Sequence, residues 1–317
     1  MLTSVNRFFN TQSKRLQSLE PLEPITAPRE IILEAFRERN ALFDTIFYDV
    51  KVISNNEIRS IAPLLAAEGA ILIVPPSGEG ELSLLHSVDD FIANGGESIH
   101  TLAVAGVGSS ALGSAAFARN IANAVKAPVA AVVSGYGAAD IITEALGGFF
   151  LFGTLNSLRH AFEGLDRLRE SGVISEPSGW SSSLSPTQTS RDTRTVEALL
   201  RNRRLKFDLL IGHSKGNLVL SEALYMLQKQ NLTHLKEIAE FTRIVTISAK
   251  IAMPIEFNAK QVIDVIGTLD NLGAINSRPT IKTDYSVLGA WHHTNTDLFF
   301  HLPVTSTLET LQTKGLI

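Results

Sequence analysis

A serine between two glycines is the residue of this sequence best suited to covalent chemistry. Ser214 stands at the centre of Gly212 to Gly216 (Gly-His-Ser-Lys-Gly), between the apolar run 207–211 and an amphipathic run from Asn217 onward. This order predicts a strand, a tight turn and a helix, with the serine at the apex and its hydroxyl lifted clear of the sheet. The flanking glycines leave room for adjoining backbone, and the helix N-terminus favours developing negative charge. We therefore predict that Ser214 is a nucleophile.

The elements that would position this serine alternate between short apolar runs and helices. Buried strands are predicted at 71–74, 101–105, 129–133, 207–211, 242–248 and 262–267. Helices are predicted at 114–125, 217–230 and 303–313. Strands that are apolar throughout are typical of a sheet covered on both faces. The predicted fold class is therefore α/β, with a mostly parallel central sheet and helices on both faces.

The strand, turn and helix around Ser214 resemble the corresponding part of the α/β-hydrolase superfamily, in particular its serine esterases and lipases. The resemblance covers the chain from about residue 70 to its C-terminus. It implies a nucleophilic serine whose proton is taken by a histidine, which is in turn oriented by a carboxylate, in the chain order serine, acid, histidine. No cofactor is implied.

On this resemblance the acid is expected in a loop after a later strand. Asp270 follows the strand predicted at 262–267 and suits this role, although aspartate is also a common turn residue or helix cap. Asp264 lies inside the same strand, and Asp284 has no clear strand before it, so both are weaker alternatives.

The base is expected in the glycine-containing loop before the last helix. His292 is preferred there and the adjacent His293 is kept as an alternative, because the residue before His292 is Trp291 where the family usually has glycine. A metal site made from the two histidines and a carboxylate is a further, weaker alternative.

The oxyanion of an acyl-transfer intermediate needs backbone N–H donors. By resemblance these are the amides of Lys215 and of Val107, which follows the strand predicted at 101–105. Many family members have His-Gly where this chain has Ala105 and Gly106. A Gly106-Val107-Gly108 turn also begins a dinucleotide-binding motif, but position 111 is Ala111 and no acid cleanly ends the next strand.

Three regions are predicted along the chain. Residues 1–66 form a helical N-terminal extension, and residues 67–317 form the α/β-hydrolase domain. An insertion at about 140–202 is longer than one crossover helix needs. Its apolar start, Gly147 to Gly153, fits either a mobile lid over an apolar pocket or a loop packed on the core.

Composition excludes several classes of function. The net charge of −4 gives no basic field for nucleic acid, and the absence of cysteine excludes disulfides, thiolate zinc sites and a cysteine nucleophile. No run of about eighteen apolar residues would span a membrane, and Met1 to Pro24 lacks the features of a secretory signal, so a cytoplasmic location is expected.

The expected function is cleavage of a carboxylic ester or thioester with a hydrophobic acyl group, on a small-molecule or lipid-like substrate. Two alternatives remain open from the sequence: a catalytically inactive binding or scaffold protein of the same fold, and an acyltransferase. The sequence also leaves open a homo-oligomer.

Overall fold

A sheet of eight strands forms the centre of the part of the chain that the computed structural model describes, residues 44–61, 68–106, 109–134 and 190–317. The strands are β1 (Ile71–Val74), β2 (Ser83–Leu85), β3 (Thr101–Val104), β4 (Val129–Val132), β5 (Leu209–His213), β6 (Arg243–Ile247), β7 (Val262–Gly267) and β8 (Tyr285–Val287). Their order across the sheet is β2-β1-β4-β3-β5-β6-β7-β8. Strand β1 pairs antiparallel with β2 and β4, whereas all other neighbours are parallel. The α/β class with a mostly parallel sheet is thus confirmed.

Helices flank the sheet, and several of them form crossover connections between parallel strands. They are α1 (Asn55–Ile61), α2 (Val88–Ala93), α3 (Ala111–Val125), α4 (Arg191–Arg201), α5 (Lys215–Gln230), α6 (Leu232–Ala239), α7 (Asn271–Ile275) and α8 (Val304–Thr313). Short 3-10 helices lie at Val50–Val52 and Gly96–Ser98. Within the described residues, no helix combines the length and apolar character needed to cross a bilayer.

Two apolar clusters cover the two faces of the sheet. Successive strand residues point to opposite faces, and accordingly Ala103 belongs to one cluster while its neighbours Leu102 and Val104 belong to the other. The first cluster includes side chains of α3 and α8, and the second includes side chains of α2, α4, α5 and α6. The inner strands β3, β4 and β5 are buried along their whole length, which explains why they consist mainly of apolar residues.

The segment predicted as an N-terminal extension contributes to the first of these clusters. Among the described residues 44–61, the side chains of Tyr48, Val50, Ile53, Ile58 and Ile61 are all buried there. Residues 44–61 thus share a core with the central sheet.

The end of the predicted insertion, Arg191–Arg201, is helix α4. Its Val196, Leu199 and Leu200 are buried in the second cluster, and the helix packs against α5. The earlier part of the predicted insertion, including Gly147 to Gly153, lies outside the described residues.

Candidate active site

The predicted serine, acid and base all lie beyond the carboxyl ends of parallel strands. Ser214 directly follows β5, Asp270 comes three residues after β7, and His292 lies in the loop that follows β8. Because these strands are parallel, their carboxyl ends meet at one edge of the sheet, where open α/β sheets hold their ligands. The fold thereby brings together residues that are far apart in the chain.

Ser214 has a backbone conformation that few residues other than glycine adopt. Its φ is 52° and its ψ is −117°, at the point where β5 turns into α5. Hydrogen bonds fix this turn: the Ser214 amide donates to the Ile247 carbonyl at 2.9 Å, and the Asn217 amide donates to the Ser214 carbonyl at 3.1 Å. Strain of this kind persists only where the surroundings enforce it, and it is concentrated at functional sites.

The two glycines of the turn are required by close packing of backbone. A Cβ atom on Gly216 would lie 2.0 Å from the carbonyl oxygen of Val104, and one on Gly212 would lie 2.2 Å from Oδ1 of Asn217. Both distances are far below van der Waals contact. Any side chain at either position would push α5 away from β3 or displace Asn217.

Asn217 anchors the turn to the neighbouring strand. Its side chain is fully buried, and its Nδ2 donates to the carbonyls of Ile247 at 3.0 Å and Ala249 at 2.9 Å. The sequence analysis did not identify this residue, because it appears there only as the first residue after the glycine turn.

His292 bridges the serine and the acid. Its Nε2 lies 3.1 Å from Ser214 Oγ, and its Nδ1 lies 2.9 and 3.1 Å from the two carboxylate oxygens of Asp270. A carboxylate only accepts hydrogen bonds, so Nδ1 carries the proton and Nε2 is left to accept from the serine hydroxyl. This is the tautomer that a general base needs.

Asp270 is held in place from a second direction. It caps α7 by accepting a hydrogen bond from the Gly273 amide at 2.6 Å. Burial is the largest single effect and raises the pKa of this carboxyl, but the hydrogen bond and charge of His292, together with further hydrogen bonds that include the Gly273 amide, bring the pKa below its ordinary value. Asp270 is therefore ionised at neutral pH, and it acts both as the helix cap and as the partner of His292.

The alternative base and acids are engaged elsewhere. His293 Nε2 bonds to the Phe299 carbonyl at 3.0 Å, so the structure brings His292, and not His293, to the serine. Asp264 accepts a hydrogen bond from the Thr246 hydroxyl, and Asp284 accepts from the Asp264 amide at 2.9 Å. Neither of these two carboxylates bonds to His292 in the described structure.

Of the two predicted oxyanion donors, one can be located. Lys215 is buried and is the first residue of α5, directly after Ser214. Val107 lies outside the described residues, although Gly106 and Ser109 on either side of the gap are described. The carbonyl of Gly106 accepts from the Ser134 hydroxyl at 2.9 Å.

The N-terminus of α3 is already occupied by a carboxylate of this chain. Asp44 accepts hydrogen bonds from the Ser110 amide and hydroxyl and from the Gly113 amide, at 3.1, 2.5 and 3.1 Å. Burial raises its pKa to about 7, although these hydrogen bonds lower it. A dinucleotide pyrophosphate would need the same amides, so this contact disfavours the dinucleotide alternative.

Two buried residues that the sequence analysis missed complete the surroundings of the base. The hydroxyl of Tyr48 lies 3.1 Å from His213 Nδ1, and His213 Nε2 lies 3.0 Å from the carbonyl oxygen of His292. In the sequence, the position of His213 next to Ser214 could have drawn attention to it, whereas no local pattern points to Tyr48.

A surface cleft of about 680 Å³ lies away from this constellation. It is lined by residues of α6 and of the loops at the amino ends of β6 and β7, among them Lys236, Arg243 and Lys260. The triad lies at the opposite edge of the sheet. Across the described ranges, no group of three or more histidine, aspartate or glutamate side chains is arranged to hold a metal ion.

Comparisons with protein-family models, curated proteins and solved structures found no match.

Proposed function

We propose that this chain is a serine hydrolase of the α/β-hydrolase type that cleaves a carboxylic ester or thioester. The observation that carries the proposal is the continuous hydrogen-bond path from Ser214 Oγ through His292 to Asp270, with separations of 3.1 and 2.9 Å. The positive φ of Ser214 at a strand-to-helix turn supports the same assignment. A hydrogen-bond network with a purely structural role would need neither the strained backbone of Ser214 nor a histidine placed between a hydroxyl and a carboxylate.

In the proposed reaction His292 is the general base. The Ser214 hydroxyl oxygen bonds to the acyl carbon while its proton passes to His292 Nε2, and the carbonyl electron pair moves onto oxygen. The amides of Lys215 and Val107 are the proposed donors to this oxyanion. Asp270 stabilises the imidazolium that forms.

Collapse of the intermediate expels the alkoxide or thiolate, which takes the proton from His292. Water then adds to the acyl-enzyme with His292 again as base, and this step releases a carboxylic acid and restores Ser214. Apart from the substrate and water, the proposed steps use side chains and backbone groups of this chain.

Exposed apolar side chains in the loops of the triad support a hydrophobic acyl group. Leu269 and Leu272 flank the acid, Leu288 precedes the base, and Phe299 and Phe300 follow it; their exposed fractions range from 42% to 92%. Such side chains are costly to leave in water and favour contact with an apolar substrate.

The test is hydrolysis of p-nitrophenyl esters of increasing chain length by wild type, Ser214→Ala and Ser221→Ala. Ser221 is the matched control, because it is a buried serine in α5, the helix that follows Ser214, and its hydroxyl bonds to the Ala252 carbonyl. We expect Ser214→Ala to lower kcat by about 10⁴-fold or more, and Ser221→Ala to keep it within about threefold. Rates should rise with acyl length.

A fluorophosphonate probe separates an enzyme from an inactive scaffold. We expect the probe to label wild type at Ser214 and to leave Ser214→Ala unlabelled. Absence of labelling and of cleavage in wild type would overturn the proposal and favour the scaffold. Full activity in Ser214→Ala would overturn the mechanism.

A further inference from the structure

A buried chain of hydrogen bonds runs from the loop after β3 to the backbone of the base. The Gly106 amide donates to the Tyr48 hydroxyl at 2.5 Å, and this hydroxyl lies 3.1 Å from Nδ1 of His213. The chain ends where His213 Nε2 meets the carbonyl oxygen of His292 at 3.0 Å. Tyr48 and His213 are both almost completely buried.

The donors and acceptors of this chain have one consistent direction. The His292 carbonyl can only accept, so Nε2 of His213 carries the proton. Nδ1 is then an acceptor, and the Tyr48 hydroxyl donates to it while accepting from the Gly106 amide. This direction requires a neutral imidazole, and burial together with the neighbouring His292 lowers the pKa of His213 to about 3.

The two ends of the chain adjoin the two groups that the reaction must hold at a fixed separation. Gly106 directly precedes Val107, the proposed oxyanion donor, and His292 is the proposed base. The ring of His213 stands 5.2 Å from that of His292, between centroids, and is engaged at both nitrogens, so it acts through its neighbours.

The segment that carries Tyr48 also binds the loop of the base directly. The Thr294 amide donates to the Phe47 carbonyl at 2.7 Å, and Asn295 Nδ2 donates to the Thr45 carbonyl at 2.6 Å. At its other end this segment holds the start of α3 through Asp44. Residues 44–48 therefore connect both loops of the site.

We propose that Tyr48 and His213 are positioning residues of the hydrolase site, which hold Gly106 and the backbone of His292 in register through their buried hydrogen bonds. This inference rests on the proposed function and adds two residues to it. Displacement of reacting groups by about 1 Å lowers rates by about 100-fold, so loss of the chain should act on kcat.

The kinetic test uses Tyr48→Phe, His213→Leu and the double variant, with rates expressed per active site titrated by the fluorophosphonate probe. We expect each single change to lower kcat by about 10- to 100-fold with KM within about twofold, since the chain positions groups that act in the transition state. The double variant should be no slower than His213→Leu, because the two residues act as one unit.

Matched controls exclude a general effect of losing a buried hydrogen bond. Tyr225→Phe removes a buried tyrosine hydroxyl that donates to the Met253 carbonyl, and His234→Leu removes a buried histidine that bonds to the Leu200 carbonyl. We expect both controls to lose thermal stability and to keep kcat within about threefold. His213→Gln, which retains a donor for the His292 carbonyl, should have a kcat between those of wild type and His213→Leu.

A kcat of Tyr48→Phe and His213→Leu equal to that of wild type per titrated site would overturn this inference and leave the proposed function intact. Nitrogen-15 NMR of labelled histidine detects the protonation and hydrogen bonds of His213 without any measurement of activity. We expect His213 as the neutral Nε2–H tautomer from pH 5 to pH 8, with its Nδ1 resonance shifted in Tyr48→Phe. A protonated or Nδ1–H imidazole would overturn the inference even if the protein cleaves no ester.

Discussion

The carboxylate of Asp270 accepts from two donors, the imidazole of His292 and the amide of Gly273. It therefore selects the histidine tautomer and caps a helix at once. An asparagine can accept at one oxygen only, and its NH₂ group would favour the opposite tautomer of His292.

We predict that Asp270→Asn lowers kcat by about 10³- to 10⁴-fold while the protein stays folded. The measurement is steady-state ester hydrolysis with circular dichroism of each variant. Asp264→Asn and Asp284→Asn are the matched controls, because their carboxylates bond away from the base. A loss in either control equal to that in Asp270→Asn would contradict the assignment of the acid.

At the same scale, sequence reasoning could identify Ser214 and Asp270 from a glycine turn and a strand end. It preferred His292 but could not exclude His293, because adjacent residues satisfy the same pattern and only the path of the loop separates them. It also missed Tyr48, whose partner His213 is 165 residues away. Contacts of this kind leave no local pattern.

Helix α5 crosses β3 at close range, and this contact fixes the position of Ser214 relative to the sheet. Gly216 lies at this crossing, where an added methyl group would meet the carbonyls of Val104 and Ala105 at 2.0 and 2.7 Å. Backbone atoms at this point cannot give way without moving the strand.

We predict that Gly216→Ala destabilises the protein by about 3 kcal/mol or more, as overpacking does at its upper range, and lowers ester hydrolysis. Urea unfolding measures the free energy. Gly78→Ala is the control: Gly78 has a φ of 84° and open space around it, so only backbone conformation opposes the change, at about 1 kcal/mol. Equal losses in the two variants would contradict the packing argument.

The carboxyl group of Asp44 accepts hydrogen bonds from the first turn of α3. Its burial raises the pKa of Asp44 from 3.8 to about 7. A raised pKa means that the folded state binds a proton more tightly than the unfolded state. The protonated carboxyl of Asp44 therefore contributes its full stabilisation of the folded state below about pH 4. This stabilisation is lost as the pH rises to about 7.

We predict that this loss amounts to about 4 kcal/mol at most, since one pKa unit corresponds to about 1.4 kcal/mol. In Asp44→Asn this part of the pH dependence should vanish between pH 4 and 7. The measurement is urea unfolding at several pH values in both proteins. An unchanged slope in the variant would show that other groups cause the dependence.

For the molecule as a whole, residues 44–61 contribute to the same core as the central sheet. Ile58 of α1 is completely buried in this core. We predict that Ile58→Ala lowers the free energy of unfolding by about 2–5 kcal/mol and that unfolding of the protein shows one transition for helix signal and activity. Ile275→Ala, at a side chain 75% exposed, should change stability by under about 0.5 kcal/mol. An early, separate transition in Ile58→Ala would contradict a shared core.

Apolar runs and the turn-forming residues that bound them were enough to predict the α/β class, the six strands and the three helices. Strands β2 and β8 could not be predicted in this way, because each has only three residues and none of them is fully buried. The contacts of residues 44–61 with the core could not be predicted either, because an amphipathic pattern does not show which surface its apolar side packs against. Helix α4 could not be predicted either, because the Ser/Thr/Pro-rich stretch before it gives no sign of where a helix begins.

The contacts between residues 44–48 and the loop of His292 join parts of the chain about 250 positions apart, as between Phe47 and Thr294. Closing so long a loop is unfavourable until most of the surrounding sheet has formed. A partly folded chain would thus contain Ser214 without an aligned His292, so the activity proposed for this site would appear only late in folding. If the chain is the proposed hydrolase, this order of folding would keep Ser214 unreactive until its base is in place.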